Sequence, residues 1–217
     1  MKKNIIIVGP SRAGKSTLAN MISHELHYNM IRLDDLVSGF EYAFPELGIH
    51  HDSEELKVST RFTKFLSGML RELNEGDHIY RDEFYVLEGV FIDFEELQKE
   101  MESDKNKDNY TIIGLHYNGM NEEQLFKNIR NHDTDDDWTY YNDDEELKAN
   151  CRYFLQRNNN FYEDYKKYNI KNYDVSFNRE ITFNKIIDDI KNRIWKIYKF
   201  NRVTHYVIGR ANNSVNY

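Results

Sequence analysis

Cysteine is nearly missing from this chain: Cys151 stands alone, so no intrachain disulfide can form. That usage predicts a reducing, cytoplasmic setting in which the hydrophobic core holds the fold. Proline and glycine are also scarce, two and ten in 217 residues, which argues against long disordered linkers. Positive charge is in deficit, with 29 Lys and Arg against 37 Asp and Glu and a net charge of -8. A general nucleic-acid footprint is therefore not expected, and any anion must be held by a local nest of amides and cations. Long apolar runs are lacking too. Two lysines precede Ile5 to Val8 in the manner of a signal peptide, but Gly9, Pro10 and Arg12 end that run at once. It is too short for a secretory core or a membrane span, so no membrane partner is expected.

What the chain does have is a rhythm of short apolar runs and amphipathic stretches. Strands are expected at 4–8, 29–33, 84–87, 110–115 and 173–176. The first, Asn4-Ile5-Ile6-Ile7-Val8, is apolar without alternation and reads as buried on both faces. Helical spacing covers 15–26, 54–73, 94–101, 121–130, about 147–168, and 181–200. Residues 36–49, with Pro45 and Gly48, read as a mixed loop region, and 132–146 as an acidic, aromatic connection. Strand followed by helix, repeated five times, implies an α/β fold with a mainly parallel sheet and right-handed crossovers. Its ligand site belongs at the carboxyl ends of the strands. Residues 1–200 are expected to form this domain, and 201–217 a C-terminal extension in which 203–208 can add an edge strand.

Between the first strand and the first helix stands Gly9-Pro10-Ser11-Arg12-Ala13-Gly14-Lys15-Ser16, a full G-x-x-x-x-G-K-[ST] match in the right context. Gly9 and Gly14 let the backbone curl so that the amides of Ser11, Arg12 and Ala13 converge on phosphates. The helix N-terminus adds unpaired donors. Lys15 is expected to reach the β- and γ-phosphates, Ser16 to ligate Mg²⁺, and Thr17 to offer a second hydroxyl nearby. A glycine turn used for packing alone would explain the glycines, but not a lysine and a hydroxyl directly after Gly14. The pattern calls for a nucleoside triphosphate and magnesium. A carboxylate on a neighbouring strand should orient the metal's water. Glu88, followed by Gly89, and Asp93 compete for that role. Gly89 favours Glu88 by clearing space near the phosphates, whereas Asp93 also suits a helix cap before Phe94.

With these residues in place, the chain resembles the nucleotide- and small-molecule-kinase branch of P-loop proteins: adenylate kinase-like, chloramphenicol phosphotransferase-like and zeta-toxin-like. The resemblance implies the three-layer P-loop NTPase fold, helices on both faces of a five-stranded sheet, and a helical lid at about 131–160. It also implies ATP and Mg²⁺ as cofactors and a small-molecule acceptor. An acid after the second strand faces the acceptor hydroxyl in that branch, and Asp34 and Asp35 stand there. They equally suit a helix cap before Leu36. Lid arginines close over the transferred phosphate, which singles out Arg130, Arg152 and Arg157. The loop after the last strand holds the base, which singles out Asn178 and Arg179, although Asn178 also fits a helix cap. Arg61 is a further candidate for an acceptor's anionic group. No Asp-Gly-x-Pro-Arg pattern follows the third strand, which departs from ordinary nucleoside-monophosphate kinases. The acidic run from Asp133 to Glu146 lacks their dense arginines and reads as a solvated loop.

Other classes fit less well. The guanine-reading Asn-Lys-x-Asp of switch GTPases is missing, since Asn106-Lys107-Asp108 has no spacer. Leu66-Ser67-Gly68 lies inside a helical pattern, where Gly68 eases packing rather than forming a transporter-ATPase signature. His50-His51 reads as a surface loop and Cys151 as an ordinary helix position. A nucleotide-binding regulatory module without an acceptor is the rival from another class.

Overall fold

In the computed structural model of the chain, residues 3–51, 55–75, 83–102 and 110–192 are described. Strand β1 (Asn4–Val8) is buried along its whole length because it is central. It lies between β3 (Tyr85–Gly89) and β4 (Tyr110–His116) in a five-stranded sheet of order β2-β3-β1-β4-β5. β2 (Asn29–Arg32) and β5 (Lys171–Asp174) form the edges, and every pairing is parallel. Alternate side chains of β1 then serve two layers. Ile5 and Ile7 join the core beneath α1 (Lys15–Leu26), α5 (Glu122–His132) and α7, the helix described over 179–192. Ile6 and Val8 join the opposite core, under α2 (Leu33–Ala43), α3 (Glu55–Glu75) and α4 (Phe94–Met101). This is the expected α/β three-layer architecture.

The long helix α6 (Asp144–Lys167) is used by both layers. Leu147, Cys151 and Phe154 enter the first core, whereas Phe161 and Tyr165 enter the second. At 1.5 Å per residue, a helix of this length spans roughly 36 Å, enough to pass over the carboxyl edge of the sheet. It starts at a capping box, with Asp143 accepting from the amides of Glu145 and Glu146. Asn121 and Gln124 cap α5 in the same reciprocal way. The expected lid takes in α6 up to residue 160, but Leu147, Cys151 and Phe154 within that stretch are core, as is Tyr165 beyond it.

Three expectations need correction. Residues 33–43 form a helix, where a strand end and a loop were expected; Leu33 and Val37 bury one face one turn apart, and Pro45 then stops it. β5 begins two residues earlier than the β-branched Val175 suggested, because pairing with Ile113 to His116 ends at Asp174. Gly68 eases no packing, since a Cβ there would meet nothing within 4 Å. The expected edge strand at 203–208 and the extension 201–217 lie outside the described residues.

Tyr165 closes the carboxyl edge where the central strands part. Its hydroxyl lies 3.1 Å from both the Val8 and the Leu115 carbonyl oxygens, and its ring lies over Gly114, where a Cβ would come within 2.7 Å. Tyr165→Phe should cost about 1–2 kcal/mol in urea unfolding, the usual loss for a buried carbonyl deprived of its donor. A second expectation concerns His116, the buried last residue of β4. Burial pulls its imidazole below the usual 6.5, with Asp174 and Asn172 offsetting part of the effect. The unfolded chain therefore takes up a proton that the folded chain refuses, and stability falls as pH drops through that value. His116→Asn should narrow the difference between melting temperatures measured at neutral and mildly acidic pH.

Candidate active site

The loop between β1 and α1 departs from ordinary backbone three times, at Gly9 (φ 155°), Arg12 (φ 67°) and Gly14 (φ 84°). Gly9 passes so close to β4 that a Cβ would sit 2.6 Å from the Leu115 carbonyl oxygen. Gly14 is the N-cap of α1, and a Cβ on it would lie 2.8 Å from the Phe183 ring. Glycine is required at both positions by φ or by close approach. From below, Tyr117 donates to the Ser11 carbonyl (3.0 Å), Arg179 to that of Arg12 (2.9 Å), and Lys15 to that of Pro10 (3.0 Å). No side chain caps α1, so its first amides remain available to an anion.

Lys15 is 8% exposed, and burial pulls its ammonium below the usual lysine range while the Glu88 and Asp34 charges pull it back. Glu88 moves the other way. Burial raises its carboxyl, and Lys15 and the Ser16 hydroxyl offset part of that. Both directions have the same cause, a desolvated pair in which each ion loses water. Strand register sets this geometry: Glu88 pairs with Ile7 on one side and Arg32 on the other, two residues before the phosphate loop begins at Gly9. The Ser16 hydroxyl donates to Glu88 Oε1 at 3.0 Å. Asp93 sits elsewhere, accepting from the Glu96 amide as the N-cap of α4 and from the Thr60 hydroxyl at 2.6 Å. Gly89 does not clear space for phosphates; its missing Cβ admits Leu33, which would otherwise be 2.6 Å away.

Hydroxyl and carboxylate side by side fit Mg²⁺, which keeps few protein ligands and takes the rest from phosphates and water. Among the described residues, no group of three or more His, Cys, Asp or Glu could hold a metal by itself. Thr17 is exposed on the first turn of α1.

Beside the loop opens a cavity of about 590 Å³, roofed by α6 through Asn150, Tyr153, Phe154, Arg157 and Phe161. Lys15 and Asp34 form its polar floor. Asp34 Oδ1 is buried and has no hydrogen-bond partner among the described residues, whereas Asp35 is exposed and outside the lining. Burial brings the Arg157 guanidinium down to about 10, so it remains a cation at neutral pH, and it rests 4.9 Å from the Phe161 ring centre.

The other arginines are engaged elsewhere. Arg152 pairs with Glu122 (2.8 Å), Arg130 holds Asp144 and the Asn142 carbonyl, and Arg61 donates to the Leu47 carbonyl. Asn178 caps α7 by accepting from the Ile181 amide (3.0 Å). Arg179 lies under the phosphate loop, its aliphatic stem 3.1 Å from where a Gly14 Cβ would be. Phe177, 82% exposed in that same loop, was not singled out by sequence, because an exposed ring leaves no periodic signal.

The acidic connection between α5 and α6 exposes Asp135, Asp136 and Asp143 as expected, but three of its residues are anchored. Arg12 ion-pairs with Asp137 at 2.6 Å and with Asp133, and it hydrogen-bonds the fully buried Thr139. Asp133 in turn accepts from the Thr139 hydroxyl at 2.7 Å. Burial would raise the Asp137 carboxyl, but the Thr134 amide and the Arg12 guanidinium hold it below the usual range. The sequence separation of about 120 residues hid this contact. The two terminal nitrogens of Arg12 are thus engaged by Asp133, Asp137 and Thr139.

No family model matches the chain, and neither does any curated protein. Solved structures do. A gluconokinase from Sinorhizobium meliloti 1021 superposes with a TM-score of 0.57 at 15% identity, covering 90% of this chain and 95% of that one. A shikimate kinase from Bacteroides thetaiotaomicron gives 0.51 at 16%, covering 88% and 98%. The chain has the P-loop kinase fold. Those two neighbours are kinases by name, and among the described residues of this chain no helix is long and apolar enough to cross a membrane.

If Ser16 and Glu88 share one cation, Ser16→Ala and Glu88→Gln should each raise the Mg²⁺ concentration needed for half-maximal nucleotide binding by about tenfold or more. The double variant should lose less than the sum of the two in free energy, as expected of groups in one network. Titration of a fluorescent triphosphate analogue against Mg²⁺ reads this directly.

Proposed function

We propose that this chain is an ATP- and Mg²⁺-dependent phosphotransferase whose acceptor is a hydroxyl of a small molecule. The observation that carries this reading is the partnerless Asp34 oxygen, buried in a cavity that the phosphate-loop lysine also lines. A buried polar atom without a partner is costly, and an acceptor hydroxyl donating to it would remove that cost. The P-loop kinase fold and the small-molecule kinases among its neighbours support the same reading.

In this scheme the loop amides and the N-terminus of α1 hold the donor phosphates, and Lys15 takes the charge that builds on the β- and γ-oxygens. The phosphates would favour the ammonium form of Lys15 that burial disfavours. Ser16 and Glu88 would hold Mg²⁺, which neutralises phosphate charge when bound. The acceptor oxygen bonds to the γ-phosphorus as the bond from that phosphorus to the β,γ-bridging oxygen breaks. The hydroxyl proton passes to Asp34, and ADP leaves. Arg157, facing the same cavity, supplies a second cation for the transferred group. A cytoplasmic setting, where ATP and Mg²⁺ are supplied, suits this chemistry.

Asp34→Asn should lower phosphoryl transfer by about 10²–10⁴-fold, the usual range for a lost general base, with triphosphate affinity near that of the parent. Asp35→Asn should leave both close to normal, and Lys15→Ala should reduce both. The assay is ADP release across a panel of hydroxyl acceptors. An Asp34→Asn variant with parental turnover would rule out the acceptor assignment. Triphosphate binding that depends on Lys15, but with no acceptor-stimulated ADP release, would point instead to a nucleotide-binding regulatory module.

A further inference from the structure

Five rings, Phe91, Trp138, Tyr153, Phe154 and Phe161, line part of the cavity over Asp34. Trp138 is 62% exposed, an unusual cost for the largest apolar side chain, and its indole is edge-on to Phe154 at 5.8 Å and 89°. Its place in the chain accounts for how it stays there. Its neighbours on either side, Asp137 and Thr139, are both held by Arg12, and Asp133 completes the grip. A guanidinium can hold two carboxylates and a hydroxyl at once because its donors lie in a rigid plane. The phosphate loop therefore fixes the segment that carries the indole, although Arg12 itself sits in a left-handed conformation that a non-glycine residue adopts at some cost.

A large exposed indole at the mouth of a site is a surface for a ligand to cover, and aromatic faces prefer flat partners. Polar side chains, among them Ser11, Lys15 and His51, share the lining with the rings. Asp34, Asn150 and Arg157 suit a compound with a small number of hydroxyl or amide groups. An open-chain polyol would present no face to the indole and would leave the rings wet.

We propose that Trp138, held over the cavity by the Arg12 grip on Asp133, Asp137 and Thr139, is the face against which the acceptor lies, and that the acceptor is a hydroxyl compound with a flat or apolar-faced ring. The ring can be a nucleobase or the C–H face of a pyranose; the shared chemistry is a planar apolar face with a hydroxyl that reaches Asp34. Arg12 is then a positioning residue for acceptor binding. The inference rests on the phosphotransferase reading of the same cavity, but it is measured by binding, without turnover.

Trp195 is the only other tryptophan in the chain, so Trp195→Phe leaves Trp138 as the sole indole reporter. With saturating Mg-ADP, that protein is titrated with uridine, methyl β-D-glucopyranoside and gluconate. A saturable change in Trp138 emission with uridine or the pyranoside, and none with gluconate, is expected, and the ring that responds identifies the source. By calorimetry, Trp138→Ala should weaken that ring probe by roughly tenfold to a hundredfold, the range for losing one aromatic stack, while Trp138→Phe retains it. Arg12→Lys, which cannot span both carboxylates, should weaken the same probe and shift Trp138 emission to the red. Neither substitution at 138 should alter KM for ATP.

A response to gluconate alone, no response to either ring, or unchanged affinity in Trp138→Ala would overturn the inference. Transfer of phosphate to gluconate with Trp138→Ala indifferent would leave the phosphotransferase reading standing and this one refuted. Ring binding without transfer from ATP to any acceptor would do the reverse.

Discussion

The site is organised around a cation that the fold takes out of water. Lys15, 8% exposed, has its ammonium on the Pro10 carbonyl and within the fields of Glu88 and Asp34. A buried ammonium persists only where charge and hydrogen bonds compensate for lost hydration. Each compensating group is delivered by a different part of the fold: Pro10 by the loop, Glu88 by the end of β3, and Asp34 by the first turn of α2. The parallel register that aligns Glu88 with Ile7 is therefore an electrostatic requirement as much as a feature of the sheet. A slip of one residue would turn Glu88 to the opposite face and leave the lysine without its nearest countercharge.

A second compensation acts on Arg12, and it gives the acidic net charge of the chain a local use. Two carboxylates and a threonine hydroxyl converge on one guanidinium, and Asp133 is almost completely buried in doing so. The phosphate loop is thereby held from both sides: by Tyr117 and Arg179 through its carbonyls, and by 133–139 through the Arg12 side chain. Preorganising an anion site in this way reduces the ordering cost at the moment of binding.

The sequence made most of this fold legible where the physics is local. β1 is a continuous apolar run because both its faces are buried, and α1 and α3 repeat buried positions at helical spacing. The phosphate loop announced itself because glycine, lysine and serine are demanded at fixed offsets. α2 was misread because its polar residues, Asp34, Asp35 and Ser38, dilute the apolar pattern, while tertiary burial of Leu33 and Val37 decides the matter. The anchoring of the acidic segment was hidden for a different reason: Asp133 and Asp137 look like their exposed neighbours Asp135 and Asp136 unless one knows that a loop arginine lies beside them. Arg152 and Arg157 are equally plausible on paper, yet one helix face turns Arg157 into the cavity and leaves Arg152 on the surface with Glu122.

That last contrast explains why donor and acceptor sites differ in legibility. The donor site is built mainly from backbone, so its residue requirements are fixed and short in sequence. The acceptor cavity is built by α6 passing over the sheet edge, by the segment before it that Arg12 holds, and by α2, which is remote from both in sequence. The angle at which α6 crosses depends on Leu147 and Phe154 in one core and Phe161 and Tyr165 in the other. Changes in either core would tilt the helix and reshape the cavity while leaving the phosphate loop intact. A fold of this kind can hold its triphosphate chemistry constant and vary its acceptor, because the two sites are specified by different physical means.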